Sequence, residues 1–178
     1  MPANISSEVI TKAKKIKLFA MDVDGVLSDG KIVYNACDVE TKAFYVQDGV
    51  GINALHYAGI ASAIITGRSS PMVERRAKEL GIHHIIQGRD DKFVALSTLA
   101  DELGISLDEC AYMGDDLPDL KAIREAGLGI SVPNGCREVQ AVANVVTHRT
   151  GGNGAVREAC ELILTAQGRF DDYVNKFR

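Results

Sequence analysis

No run of apolar residues in this sequence approaches the ~18 needed to cross a bilayer as a helix, so no membrane-spanning segment is expected. A secretory leader is not expected either: Met1 to Lys17 is polar and ends in Lys12, Lys14, Lys15 and Lys17 without an apolar centre. Lysine and arginine form no stripe; they are scattered, and the 178 residues carry a net charge of −4. A nucleic-acid surface displaces counterions with a basic patch, and that patch is missing. An anionic small molecule is not excluded, because a few placed cations suffice locally. The four cysteines, Cys37, Cys110, Cys136 and Cys160, lie far apart with no C-x-x-C pair. That removes zinc spacing and argues for reduced thiols. Repeats, low-complexity segments and linkers are lacking too. The expectation is a soluble cytoplasmic protein with one domain over residues 1–178.

What is present is an alternation of short apolar runs with helix-period segments, the pattern of a parallel sheet covered by helices. Strands are predicted at Lys17–Val23, Ile60–Thr66, His84–Gln87, Cys110–Gly114, Leu128–Val132 and Asn144–Thr147. Helices are predicted at Gly51–Ala58, Pro71–Leu80, Lys92–Leu103, Pro118–Ala126, Arg137–Ala143 and Ala155–Ala166. Ser70-Pro71 supplies an N-cap with proline at the first helical position. Gly81, Gly104 and Gly127 each follow a helix end, where a left-handed residue is favoured. The stretch from Lys31 to Val46 breaks the alternation. Lys31–Tyr34 and Val39–Val46 read as two strands joined by a turn, a hairpin projecting from the sheet. The fold class is α/β, a doubly wound parallel sheet.

Ligands of such sheets bind beyond the carboxyl ends of the strands, and four polar signals fall there. Asp22-Val23-Asp24-Gly25 places two carboxylates two residues apart at the end of an apolar strand. A simple turn would explain this motif alone. Thr66-Gly67-Arg68 joins a strand to the Ser70-capped helix, where a hydroxyl and free amides suit a phosphate oxygen. Ordinary loop chemistry is the plainer reading. Lys92 opens a helix, where a cation opposes the macrodipole. Either caging by Asp90 and Asp91 or a bound anion would offset that cost. Gly114-Asp115-Asp116-Leu117-Pro118-Asp119 follows another strand. Asp116 and Asp119 fit as N-cap and first-turn acid, but Asp115 has no such role. Its crowding against Asp22 and Asp24 is tolerable with a divalent cation between them.

In this order and placement the four signals resemble the haloacid dehalogenase superfamily of phosphatases, over essentially the whole chain. The resemblance implies a Rossmann-like fold of that type. A tighter likeness is to the branch that dephosphorylates 3-deoxy-D-manno-octulosonate 8-phosphate, a sugar of lipopolysaccharide synthesis in Gram-negative bacteria. It rests on Met21–Gly30, Asp48-Gly49-Val50-Gly51 (read as a turn), Ile65–Arg68 and Gly154–Glu158. Ser28 stands where that branch often has threonine. A related nonulosonic (sialic-type) acid 9-phosphate is the alternative substrate. A receiver-like phospho-acceptor domain fits less well, because there the threonine and lysine follow the phosphorylated aspartate from a middle strand. A catalytically dead member would not be expected to keep Asp22, Asp24, Lys92 and Asp115.

The resemblance implies roles. Asp22 is the nucleophile that becomes an aspartyl-phosphate, and Asp24 the general acid and then base. Mg2+ is held by Asp22, Asp115 and the backbone carbonyl of Asp24, with Asp116 and Asp119 around them. Thr66, Gly67 and Lys92 hold phosphate oxygens, and Arg68 and Arg76 reach the sugar carboxylate. Neither gap between these motifs has room for a cap domain, so another copy of the chain is expected to cover the site. A homotetramer packed through the apolar hairpin follows, with the Gly168–Arg178 tail either folded over the pocket or disordered.

Overall fold

The structure is a computed structural model that describes residues 5–178. In chain order, helix α1 (Ser7–Ala13) and strand β1 (Leu18–Met21) precede a small hairpin, β2 (Val33–Tyr34) and β3 (Glu40–Thr41). Then come α2 (Val46–Tyr57), β4 (Ala61–Ile65), α3 (Pro71–Glu79), β5 (His84–Ile86) and α4 (Lys92–Leu103). The second half runs β6 (Cys110–Gly114), α5 (Leu120–Glu125), β7 (Leu128–Ser131), α6 (Arg137–Val142), β8 (Val145–Val146), α7 (Ala155–Ala166) and α8 (Phe170–Asn175).

Six strands form one parallel sheet in the order β5-β4-β1-β6-β7-β8. From β1 the chain builds outward through β4 to β5, then returns across the sheet to β6 and builds out to β8. The loops after β1 and β6 therefore part in opposite directions and leave a crevice at the carboxyl edge. Alternate residues of β1 serve different cores: Phe19 and Met21 pack with α1, α2, α3 and α7, Leu18 and Ala20 with α4, α5 and α6. All four are buried, as expected of a central parallel strand covered on both faces. Each large side chain among them contributes ~1.5–3 kcal/mol of transfer free energy.

Four expectations need correction. The hairpin strands are two residues each, and Val46, expected to end the second, starts α2 instead. Helix α2 thus begins five residues before Gly51, and Asp48–Gly51, read as a turn, lies inside it. Glycine disfavours helix by ~1 kcal/mol, so the sequence alone pointed elsewhere. Packing decides: a Cβ on Gly51 would lie 3.0 Å from the Arg157 Cα, so its absence lets α2 press against α7. At the helix ends, Gly81 and Gly104 are left-handed, but Gly127 is not; there the chain passes within contact of the Asp108 carbonyl. The tail forms α8 and packs Tyr173 on Tyr57, with centroids 5.7 Å apart, at the end of α2 remote from the crevice.

Candidate active site

Four carboxyl-edge loops converge on a cleft of about 270 Å³ lined by Asp22, Asp24, Thr66, Gly67, Arg68, Asp90, Lys92, Asp115 and Asp116. Asp22 leaves β1 at the sheet centre, where its N–H donates to the Met113 carbonyl at 2.9 Å. The loop then turns at Gly25 with φ +92°, and a Cβ there would overlap the Asp115 carboxylate at 2.0 Å. Glycine at this position is what allows the two acidic loops to meet.

Lys92 is buried at the start of α4, with Nζ 2.8 Å from Asp22 Oδ2 and 2.7 Å from Asp119 Oδ1. Asp91 does not cage it; that carboxylate is bound by Arg89 at 2.6 Å. Asp119 is fully buried and saturated. Its Oδ1 accepts from Lys92 and from the Tyr112 hydroxyl at 2.7 Å, its Oδ2 from the Asp115 and Asp116 N–H groups. Asp116 caps a short 3-10 turn through Leu117 N–H.

The carboxylates of Asp22, Asp115 and Asp119 lie within 4.8 Å of one another, close enough for one cation. Asp119 has no lone pair direction left over, so Asp22 and Asp115 are the free donors. Asp22 Oδ1 and Asp115 Oδ1 are both buried without a hydrogen-bond partner, a cost that a bound divalent ion removes. The donor set therefore fits a hard cation. Burial, with the Asp119 charge, lifts Asp22 to about 6 even though Lys92 opposes the rise. Burial, then Asp22 and Asp119, lifts Asp115 to about 7. Burial works against the Lys92 charge, but Asp22 and Asp119 outweigh it and raise the ammonium.

These shifts have a consequence for the metal-free protein. Carboxyls raised on folding hold protons that the unfolded chain has released, so stability falls as pH climbs from about 4 to about 7. The melting temperature in chelator should drop across that window, and Asp115→Asn should flatten the drop. An equally steep fall in Asp115→Asn would contradict the assignment.

Asp24 faces the hairpin instead of Asp22. Its carboxylate pairs with Lys42, lies 3.6 Å from Arg68 Nε and accepts from Ser28 Oγ at 3.3 Å. Arg68 reaches on to Glu40 Oε2 at 2.7 Å. Arg76 is not in this cleft; it lines a separate depression with Lys42, Phe44, Met72 and Arg75, and pairs with Glu79 at 3.4 Å.

Sequence reasoning missed Lys42, Glu40, Tyr112 and Asn134. The Lys42 side chain is only 1% exposed between Asp24 and Glu40. No local signal marks it, since its burial depends on how the hairpin folds back. Tyr112 carried a signal: a tyrosine in a buried strand needs a partner for its hydroxyl. Asn134 bridges two loops, donating to the Gly25 carbonyl at 2.9 Å and accepting from Gly151 N–H at 2.8 Å.

A parallel sheet carrying paired aspartates, a buried lysine and a cation-ready acid pair defines a phosphoryl-transfer hydrolase. Residues 81–158 match the family model of the haloacid dehalogenase-like hydrolases. The chain is 45% identical over 168 residues to the 3-deoxy-D-manno-octulosonate 8-phosphate phosphatase of Salmonella typhi, covering 94% of this chain and 89% of that one. It is 67% identical to the Moraxella catarrhalis enzyme of that name, whose crystal structure holds magnesium, phosphate and the free sugar acid (TM-score 0.95; 96% and 98% covered). The cobalt-bound Haemophilus influenzae phosphatase is 38% identical (TM-score 0.86; 89% and 93% covered). The chain belongs to this family, the 3-deoxy-D-manno-octulosonate 8-phosphate phosphatases among the haloacid dehalogenase-like hydrolases.

Proposed function

We propose that the chain hydrolyses 3-deoxy-D-manno-octulosonate 8-phosphate to the free sugar acid and phosphate, with magnesium as cofactor. The observation that carries the chemistry is the pair of unpartnered buried oxygens, Asp22 Oδ1 and Asp115 Oδ1, set beside the Lys92 ammonium. Likeness to the Moraxella catarrhalis structure supports the substrate.

An Asp22 oxygen bonds to phosphorus as the ester P–O bond breaks, and Asp24 gives its proton to the departing sugar oxygen. Asp24 then takes a proton from water, whose oxygen bonds to phosphorus as Asp22 is released. Lys92 keeps Asp22 ionised despite burial and faces the phosphoryl oxygens together with Thr66 and the Gly67 amide. Asp119 and Tyr112 fix Lys92, and Asp119 also aligns the Asp115 and Asp116 backbone. Asp22, Asp115 and the Asp24 carbonyl would hold magnesium, which when bound neutralises phosphate charge. Arg68 meets the sugar carboxylate at the mouth.

Purified protein with magnesium should release phosphate from this substrate far faster than from glucose 6-phosphate, and Arg68→Ala should remove most of the preference. Equal rates on both sugars would defeat the substrate assignment, and full activity in excess chelator would defeat the mechanism.

The 1–178 chain serves as one phosphatase domain acting in the cytoplasm, in keeping with the absence of a helix long and apolar enough to cross a membrane among the described residues. The hairpin exposes Ile32, Val33, Tyr34 and Val39, each at least half accessible, with Val46 beside them at 74%. So much apolar surface on a two-stranded hairpin favours burial against other copies. A homotetramer in which a neighbour covers each cleft is the assembly we assign. Light scattering at micromolar concentration should give four times the chain mass; a fully active monomer would overturn it.

A further inference from the structure

The cations at the cleft are almost all committed. Lys92 is bound between Asp22 and Asp119, and Lys42 between Asp24 and Glu40. Of the cleft-lining cations, Arg68 alone is substantially exposed, its side chain 43% accessible, and it too is engaged. Its partner is Glu40, whose Oε2 accepts from the guanidinium at 2.7 Å. Asp24 stands 3.6 Å from the same guanidinium. Glu40 belongs to β3, a strand of two residues on the projecting hairpin, so it reaches the cleft from outside the main sheet.

Resting on the reading of Arg68 as the anchor for the sugar carboxylate, we propose that Glu40 is a stand-in for that carboxylate, a competing anion that the sugar acid must displace. Until substrate binds, Glu40 holds the guanidinium. An incoming acid sugar presents the same chemical group and takes its place, while Glu40 withdraws toward Lys42, 3.1 Å from its other oxygen. The exchange gives Arg68 the incoming carboxylate in place of Glu40, while Glu40 keeps its contact with Lys42. Without it, the substrate carboxylate, Glu40 and Asp24 would crowd a single guanidinium, and like charges at that spacing repel. A neutral sugar phosphate brings nothing to trade. It leaves the Glu40–Arg68 pair in place, so its binding does not depend on the Glu40 charge.

The test is Glu40→Gln, which keeps size and hydrogen bonding but removes the competing charge. For the 8-phosphorylated sugar acid, KM should fall roughly two- to five-fold, the scale of a partly exposed ion pair. The Ki of free 3-deoxy-D-manno-octulosonate as a competitive inhibitor should fall in proportion. KM for a neutral sugar phosphate should not fall, and in an Arg68→Ala background the substitution should have no selective effect. Equal gains for acid and neutral sugars would reveal a general electrostatic effect and overturn the proposal. A rise in KM would mean that Glu40 binds substrate directly, which also overturns it. A wild-type chain that does not hydrolyse the sugar acid phosphate would defeat the function assigned above. If it is hydrolysed and Arg68→Ala impairs it, an unchanged acid-to-neutral ratio in Glu40→Gln defeats only the stand-in.

Discussion

Asp22→Asn should reduce turnover at least about a thousandfold, because the amide cannot accept the phosphoryl group. The same change should not destabilise the metal-free protein. Asp22 is buried, and burial with the Asp119 charge raises its pKa to about 6, so at neutral pH its charge is held at a cost. An amide removes that cost and leaves Lys92 its contact with Asp119 at 2.7 Å. Loss of activity is thus expected with an unchanged or higher melting temperature in chelator. Phosphate release by quench-flow, beside a thermal melt, separates the two readouts. Turnover within tenfold of wild type would remove Asp22 from the nucleophile's place, and a collapsed melt would show that it serves folding.

Lys92→Ala should have the opposite profile, costing both activity and stability. Lys92 is the cation between two buried carboxylates, and removing one partner of a buried pair strands the other charge, typically at ~3–5 kcal/mol. Urea unfolding in chelator at neutral pH measures that loss. Part of it should return near pH 5, where Asp22 takes up a proton in place of the missing ammonium. Magnesium should also restore part, by supplying positive charge to Asp22 and Asp115. A variant as stable as wild type at neutral pH would mean that the carboxylates are neutralised by other means. In that case Lys92 would not be the group that keeps Asp22 ionised.

The contrast between these variants shows how the site is built. Three acids and one lysine are brought together with two carboxylate oxygens unsatisfied, and the surrounding sheet holds them there. Asp119 is the fixed point: with every lone pair engaged it cannot serve a ligand, but it sets Lys92, Tyr112 and the Asp115 backbone at once.

Much of this was legible in the sequence because strand-end chemistry is local. An apolar run that ends in Asp22-Val23-Asp24-Gly25 announces both its strand and its turn. The order of Thr66, Lys92 and Asp115 followed from the alternation of strands and helices, since each parallel strand delivers its next residue to the same edge. Helix α4 and strand β6 took their predicted limits, with Gly104 left-handed after the one and Gly114 ending the other. Residue type could not foretell where the hairpin ends, because Gly49 and Gly51 lower helix propensity yet are chosen for close packing against Arg76 and α7. Nor could it place Lys42 and Glu40 at the mouth of the cleft. Their burial and pairing depend on the hairpin folding back over loops far away in the chain, a contact with no periodicity to read. By itself, then, the sequence determined the sheet, the edge that bears the chemistry and the acids and lysine upon it, all products of local pattern. The tertiary structure alone decided which charges neutralise one another, because ion pairs between distant loops are set by packing geometry that no segment encodes.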